Sequence, residues 1–202
     1  MKIYDISQEV FGCVVFPGDP APERNVLMQK SEGAVCNLTA FSMCAHNGTH
    51  VDAPYHFIEE GKKIDEVELN QFVGYAYVAA WEGDIGAEDA ERIWQKASEA
   101  SRQTGKDACN RILIKGKAVL TEEAAKVMTG HGILLYGNES QTVGPEDAPK
   151  AVHLIMLGAG IVLLEGIRLG EVEEGVFLLN AAPINLGESD GAPCRALLFA
   201  DL

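Results

Sequence analysis

A chain of 202 residues is long enough to bury a full hydrophobic core, and with no visible linker or internal repeat it reads as one domain over residues 1–202. Its 47% hydrophobic and 23% charged residues lie near the globular average, which excludes a disordered chain or a coiled coil. The formal net charge of −14 repels phosphate backbones and anionic lipid, so neither a nucleic-acid nor a membrane partner is expected.

Lys2 to Ile6 reads as a first strand, and Gln8 to Arg24 passes through Pro17-Gly18-Asp19-Pro20 and Pro22, a run suited to an ordered loop. Phe16 sits at the lip of that loop, where an aromatic beside a Pro-Gly turn is read first as a packing anchor. Val35 to Ala45, apolar and without helical caps, is expected to be a largely buried strand leading to His46.

The segment from His46 to His56 holds three of the five histidines and Asp52 within eleven residues. Imidazole and carboxylate are the usual donors for zinc or manganese, so this density points to a metal. Fully extended, His46 and His50 would stand about 13 Å apart at roughly 3.3 Å per residue, too far to share a cation whose bonds are about 2 Å. The chain must curl. Gly48 supplies conformational freedom, Thr49 and Val51 disfavour a helical turn and Pro54 stops a helix, so the spacing predicts a tight irregular loop.

Beyond a polar stretch from Gly61 to Asn70, Phe72 to Trp81 has the aromatic and valine content of a strand, which Gly83 to Gly86 ends. Ala87 to Thr104 is an amphipathic helix with Ala90, Ile93, Trp94, Ala97 and Ser101 on one side. Arg111 to Lys115 is a strand, and Thr121 caps a helix that Gly130 stops. His131, between two glycines, reads as a capping or exposed residue. Gly132 to Tyr136 is the next strand. Asp147 is expected to cap a helix running through His153 to Leu157, followed by a buried strand, Ile161 to Leu164, with Glu165 at its end. A lone carboxylate after four apolar residues demands a compensating charge. Val176 to Leu179 and Arg195 to Ala200 close the strands. Elements of both kinds, alternating only in the second half, indicate an α/β fold: a single mixed-sheet domain with flanking helices.

Five cysteines, Cys13, Cys36, Cys44, Cys109 and Cys194, without a CxxC pair suggest neither a disulfide framework nor a zinc knuckle. The opening Met-Lys-Ile-Tyr-Asp lacks the basic and apolar run of a signal peptide, so a cytoplasmic location is expected.

The pattern His46-x-Gly48-Thr49-His50-x-Asp52-x-Pro54-x-His56-Phe57 resembles the signature of the cyclase-like metal hydrolases, a family that includes the bacterial kynurenine formamidases. Pro17-Gly18-Asp19, Phe72-Val73-Gly74, Leu157 to Gly166 and Asp190-Gly191-Ala192-Pro193-x-Arg195-Ala196 extend the resemblance over nearly the whole chain. It implies the swivelling β/β/α cyclase-like fold and two divalent metals per subunit, zinc with manganese as the alternative. His46, His50 and Asp52 would bind the first, Asp52 reaching the second as well; His153 would bind the second, with Glu165 shared. The resemblance also makes His56 the proton donor and acceptor, Phe16 a pocket residue, the substrate a small amide such as N-formyl-L-kynurenine, and the assembly a homodimer or larger homo-oligomer. The alternatives are a hydrolase of a cyclic amide of the isatin type and a member that binds metal or ligand without turnover. Departures from the kynurenine formamidase pattern bear on substrate: Phe16 stands where that family has Trp, Lys115-Gly116-Lys117 replaces Thr-Gly-Trp, and Glu139 to Val143 replaces Asp-x-x-Ser-Val.

Overall fold

The strands at the centre of the molecule are those whose sequences are nearly unbroken in apolar residues, as burial on both faces requires. In the computed structural model, which describes residues 1–200, the chain first forms β1 (Lys2–Asp5), β2 (Glu23–Met28), β3 (Leu38–Ser42) and β4 (His50–Asp52). After α1 (Leu69–Phe72) come β5 (Val73–Ala80), β6 (Gly83–Ile85), α2 (Ala87–Thr104), β7 (Arg111–Lys115), β8 (Ala118–Leu120), α3 (Glu122–Gly130) and β9 (Leu135–Asn138). The chain ends through α4 (Lys150–Gly158), β10 (Val162–Glu165), β11 (Gly175–Asn180), β12 (Gly191–Pro193) and β13 (Leu197–Ala200).

Nine of these strands make one mixed sheet in the order β1-β13-β11-β5-β7-β9-β10-β4-β12. β5, β7, β9 and β10 run parallel, and the strands on either side of them pair antiparallel. Successive side chains of a strand face opposite ways, and the core divides accordingly. Tyr77, Ala79, Ile112, Ile114, Tyr136 and Leu163 pack beneath α2, α3 and α4, which contribute Ile93, Met128 and Met156. On the opposite face Ala76, Val78, Leu113, Leu135, Val162 and Leu164 meet residues from both ends of the curled sheet, among them Val51, Ala192 and Leu198. This is the mixed-sheet α/β architecture expected, with α2 falling on the predicted range.

Four expectations need correcting. The stretch from Val35 to Ala45 is not a buried strand: β3 pairs only with β2, and in this outlying ribbon Val35, Phe41 and Leu38 are 91%, 57% and 46% exposed. A strand with one partner and no sheet stacked on it has nothing to bury against, whatever its composition. The histidine segment is irregular only at its start, since His50–Asp52 is β4 and lies fully buried between β10 and β12, while Pro54 opens a 3-10 turn, Pro54–His56, rather than merely blocking a helix. Thr49 and Val51 behave as β-branched residues should. The helix carrying His153 begins at Lys150 with Pro149 as its N-cap, so Asp147 lies outside it, and β9 starts later than predicted, at Leu135. Trp94 does belong to the core margin, stacked on His131 with ring centroids 3.7 Å apart, and His131 caps α3 while bonding Glu91 at 2.8 Å.

Candidate metal centre

The parity of β4 builds the centre. Val51 points into the core on one side, which sends His50 and Asp52 to the other, and register places Glu165 of β10 directly across from His50. His153 descends onto the same place from α4. All four are at most 3% exposed, in a site where unpaired charge is costly. The curl that brings His46 back over them is made at Gly48, whose φ of 67° is left-handed and whose added Cβ would meet the Cβ of Cys13 at 3.0 Å. Gly166 does the same after Glu165: at φ 69° a side chain there would lie 2.3 Å from the carbonyl of Gly48. The hydroxyl of Thr49 and the amide of Gln8 both donate to the Gly166 carbonyl at 2.8 Å, tying the two turns together.

Both carboxylates face His50 and His153. Asp52 presents Oδ1 to His50 Nε2 at 3.4 Å and Oδ2 to His153 Nε2 at 3.6 Å; Glu165 presents Oε2 to His50 Nε2 at 3.4 Å and Oε1 to His153 Nε2 at 3.3 Å. These separations exceed a good hydrogen bond, yet they match the edge of a tetrahedral site, since two ligands on bonds of about 2.0–2.1 Å stand about 3.3 Å apart. The outer nitrogens explain why the inner ones are available. His50 Nδ1 lies 3.0 Å from the Gly48 carbonyl and His153 Nδ1 2.8 Å from that of Pro149. A carbonyl only accepts, so Nδ1 carries the proton and the lone pair of the neutral ring sits on Nε2, aimed at the carboxylates.

Lone pairs facing anions call for a cation. Burial alone would lower the pKa of both rings, but the Asp52 and Glu165 carboxylates outweigh it, raising His50 to about 9 and His153 to about 10. Asp52 responds in the opposite sense: burial would raise its carboxyl, and the surrounding imidazoles of His153, His46 and His50 hold it well below the usual range. The demand that protons meet here is the one a divalent metal meets with anionic and imidazole ligands, so the residues fit the ion. The ligating atoms of His50, Asp52 and Glu165 lie within 4.8 Å of one another, as do those of His46, Asp52 and His56.

His46 and His56 occupy the rim. His46 bonds Asp52 Oδ1 through Nδ1 at 2.8 Å and Asp190 Oδ2 through Nε2 at 2.9 Å. Burial pulls its pKa down, and the Asp190 and Asp52 carboxylates raise it to about 11. His56 stacks on His46 with centroids 4.0 Å apart and bonds the same Asp190 oxygen through Nδ1 at 2.9 Å. All six residues singled out for metal and proton chemistry thus converge. Phe16 joins them in a cavity of about 200 Å³ that Phe57 also lines, so it is a wall of the centre and not only a packing anchor. A larger cavity of about 580 Å³, behind Asn47 and Thr49, contains none of the imidazoles, so donors rather than volume mark the site. The residue that sequence reasoning passed over is Asp190, whose signal was its place in Asp190-Gly191-Ala192-Pro193.

Fold and site define a hydrolase of the cyclase type. The Cyclase family model ("Putative cyclase") matches residues 4–145, and the chain belongs to that family. Its curated relatives include the kynurenine formamidase of Bacillus thuringiensis (strain Al Hakam), 32% identical over 96% of this chain and 95% of that protein, and that of Bacillus anthracis, 31% identical over 98% and 97%. Among solved structures, one described as a potential metal-dependent hydrolase with cyclase activity superposes with a TM-score of 0.81 at 26% identity, covering 100% of this chain and 98% of its own. Isatin hydrolase A from Labrenzia aggregata shares the fold, with a TM-score of 0.77 at 20% identity over 99% and 94%.

Proposed function

We propose that the chain is a metal-dependent amidohydrolase that cleaves an aryl formamide, N-formyl-L-kynurenine foremost, to the free aryl amine and formate. The observation that carries this is the double bridging: Asp52 and Glu165 each give one oxygen to His50 and the other to His153, an arrangement suited to two adjacent cations. His50, Asp52, Glu165 and His153 would hold them, with His46 completing the first position; zinc suits this set, with manganese as the alternative. When bound, the metal brings the pKa of water to about 7 and polarises a carbonyl oxygen.

The chain supplies the rest. His56 takes the proton that water gives up and returns it to the departing amine nitrogen. Phe16 and Phe57 form aromatic walls against which an aryl ring packs; Phe57 is itself fixed against His153, with centroids 4.7 Å apart. Five free cysteines fit a reducing cytoplasm, and among the described residues no helix is long and apolar enough to cross a membrane. The exposed apolar side chains of the β2–β3 ribbon support a homodimer or larger homo-oligomer.

Formate release from N-formylkynurenine, measured with metal content, tests the reading. His56→Ala should lower kcat by about 10²–10⁴ with metal content nearly unchanged. Hydrolysis that survives exhaustive chelation sinks the mechanism, and opening of isatin with formylkynurenine untouched transfers the reading to cyclic amides.

A further inference from the structure

We infer that Asp190 is the positioning residue of the proton carrier, fixing the tautomer and orientation of His56; the inference rests on the proposed function for the step that His56 performs. Asp190 Oδ2 lies 2.9 Å from both His56 Nδ1 and His46 Nε2. An ionised carboxylate only accepts, so both of these nitrogens are N–H donors. His56 therefore keeps its proton on Nδ1, and Nε2 becomes the nitrogen free to receive and release one, on a ring that lines the catalytic cavity.

Neighbouring bonds hold the carboxylate where this geometry needs it. The Asp190 carbonyl accepts from the Ala53 amide at 2.9 Å, the preceding Ser189 carbonyl accepts from Ile64 at 2.9 Å, and Gly191 pairs with Asp52 in the sheet. Asp190 is thus anchored to the strand end that carries Asp52 and to the 3-10 turn that carries His56. The two rings stack at 4.0 Å with 28° between their planes, so one oxygen clips them together and restrains rotation of His56 about its own side chain. A carboxylate behind an imidazole is what selects the productive tautomer in hydrolases that use histidine as base.

The test uses zinc-loaded protein and N-formylkynurenine as probe. Asp190→Asn keeps the shape but offers an amide that donates as well as accepts. It should lower kcat by about 10²-fold or more while KM stays within about threefold and zinc content is unchanged, with Asp190→Glu recovering part of the loss. Long-range proton–nitrogen NMR spectra at a pH where the ring is neutral, assigned with His56→Gln, should show His56 protonated on Nδ1 in the parent and as a mixture of tautomers in Asp190→Asn. An unchanged tautomer, or kcat within threefold of the parent, overturns the inference. So does a fall in kcat matched by an equal loss of zinc, which would assign Asp190 to holding His46 alone. Should the parent not cleave the probe, the proposed substrate fails while the NMR comparison still decides the role of Asp190.

Discussion

Loading the centre with a divalent cation should expel protons, and their number reports which histidines bind it. In protein stripped of metal, His46, His50 and His153 are raised to about 11, 9 and 10, so at pH 6.5 each ring carries both of its protons. A ligating imidazole nitrogen must be unprotonated. Three ligating rings therefore release three protons, whereas two are released if His46 stays an imidazolium between Asp52 and Asp190. By linkage, apparent affinity rises about tenfold per pH unit for each proton displaced, so about a thousandfold between pH 5.5 and 6.5 for three and about a hundredfold for two. Working below about pH 7 keeps ionisation of cation-bound water out of the count. The assay is calorimetric titration of zinc into chelator-treated protein in two buffers of different ionisation enthalpy. The rings share their carboxylates and titrate together, so the number belongs to the cluster. Release of less than one proton, with affinity flat across that pH range, would refute the reasoning.

The same groups set the pH stability of chelated protein. Raised imidazoles contribute stability that is complete below the unfolded value of about 6.5 and lost as pH rises through about 9 to 11; the depressed carboxyls of Asp52 and Asp190 contribute above about 3.8 and lose it as pH falls further. Tm of the chelated protein should thus be highest between about pH 4 and 6.5 and fall by pH 9, with zinc restoring more at pH 9 than at pH 6; scanning fluorimetry that finds chelated Tm rising from pH 6 to 9 contradicts this. Glu165→Gln keeps an acceptor for the Val143 amide, now bonded at 2.8 Å, but removes a bridging charge, so zinc per chain should drop while the circular dichroism spectrum stays that of a folded chain. Phe16→Ala should raise KM for aryl formamides about three- to tenfold at nearly constant kcat, and equal KM values would remove Phe16 from the substrate wall.

What could be read from the chain depended on how local its cause was. The amphipathic period of Ala87 to Thr104 and the apolar runs of β5, β7 and β10 are properties of the segments themselves, and these elements fell near their predicted places. Leu38 to Ser42 misled because composition reports what a strand could bury, whereas burial depends on what is stacked against it, and the β2–β3 ribbon lies outside the main sheet. β4 and β12 were invisible for a related reason. At three residues each they are strands only because β10 stands beside β4 to accept them, a pairing between positions more than a hundred residues apart.

The site divides along the same line. His46, His50, Asp52 and His56 announce themselves by density, and Glu165 by the cost of a carboxylate after an apolar run, both of which are local signals. Asp190 carries no such mark: it is an ordinary acidic residue in a Gly- and Pro-rich stretch, 40% exposed at its side chain, and it reaches the histidines through long-range contacts, the pairing of Gly191 with Asp52 and the backbone bonds of Ala53 and Ile64. Sequence density therefore reveals groups that must be compensated in place, and leaves hidden those that compensate them from afar. His46, His50, Asp52 and Glu165 were thus legible from residue type and spacing, whereas His153, a lone histidine on a helix, entered only through the family resemblance. The group that orients the proton carrier became legible only once the sheet order was known.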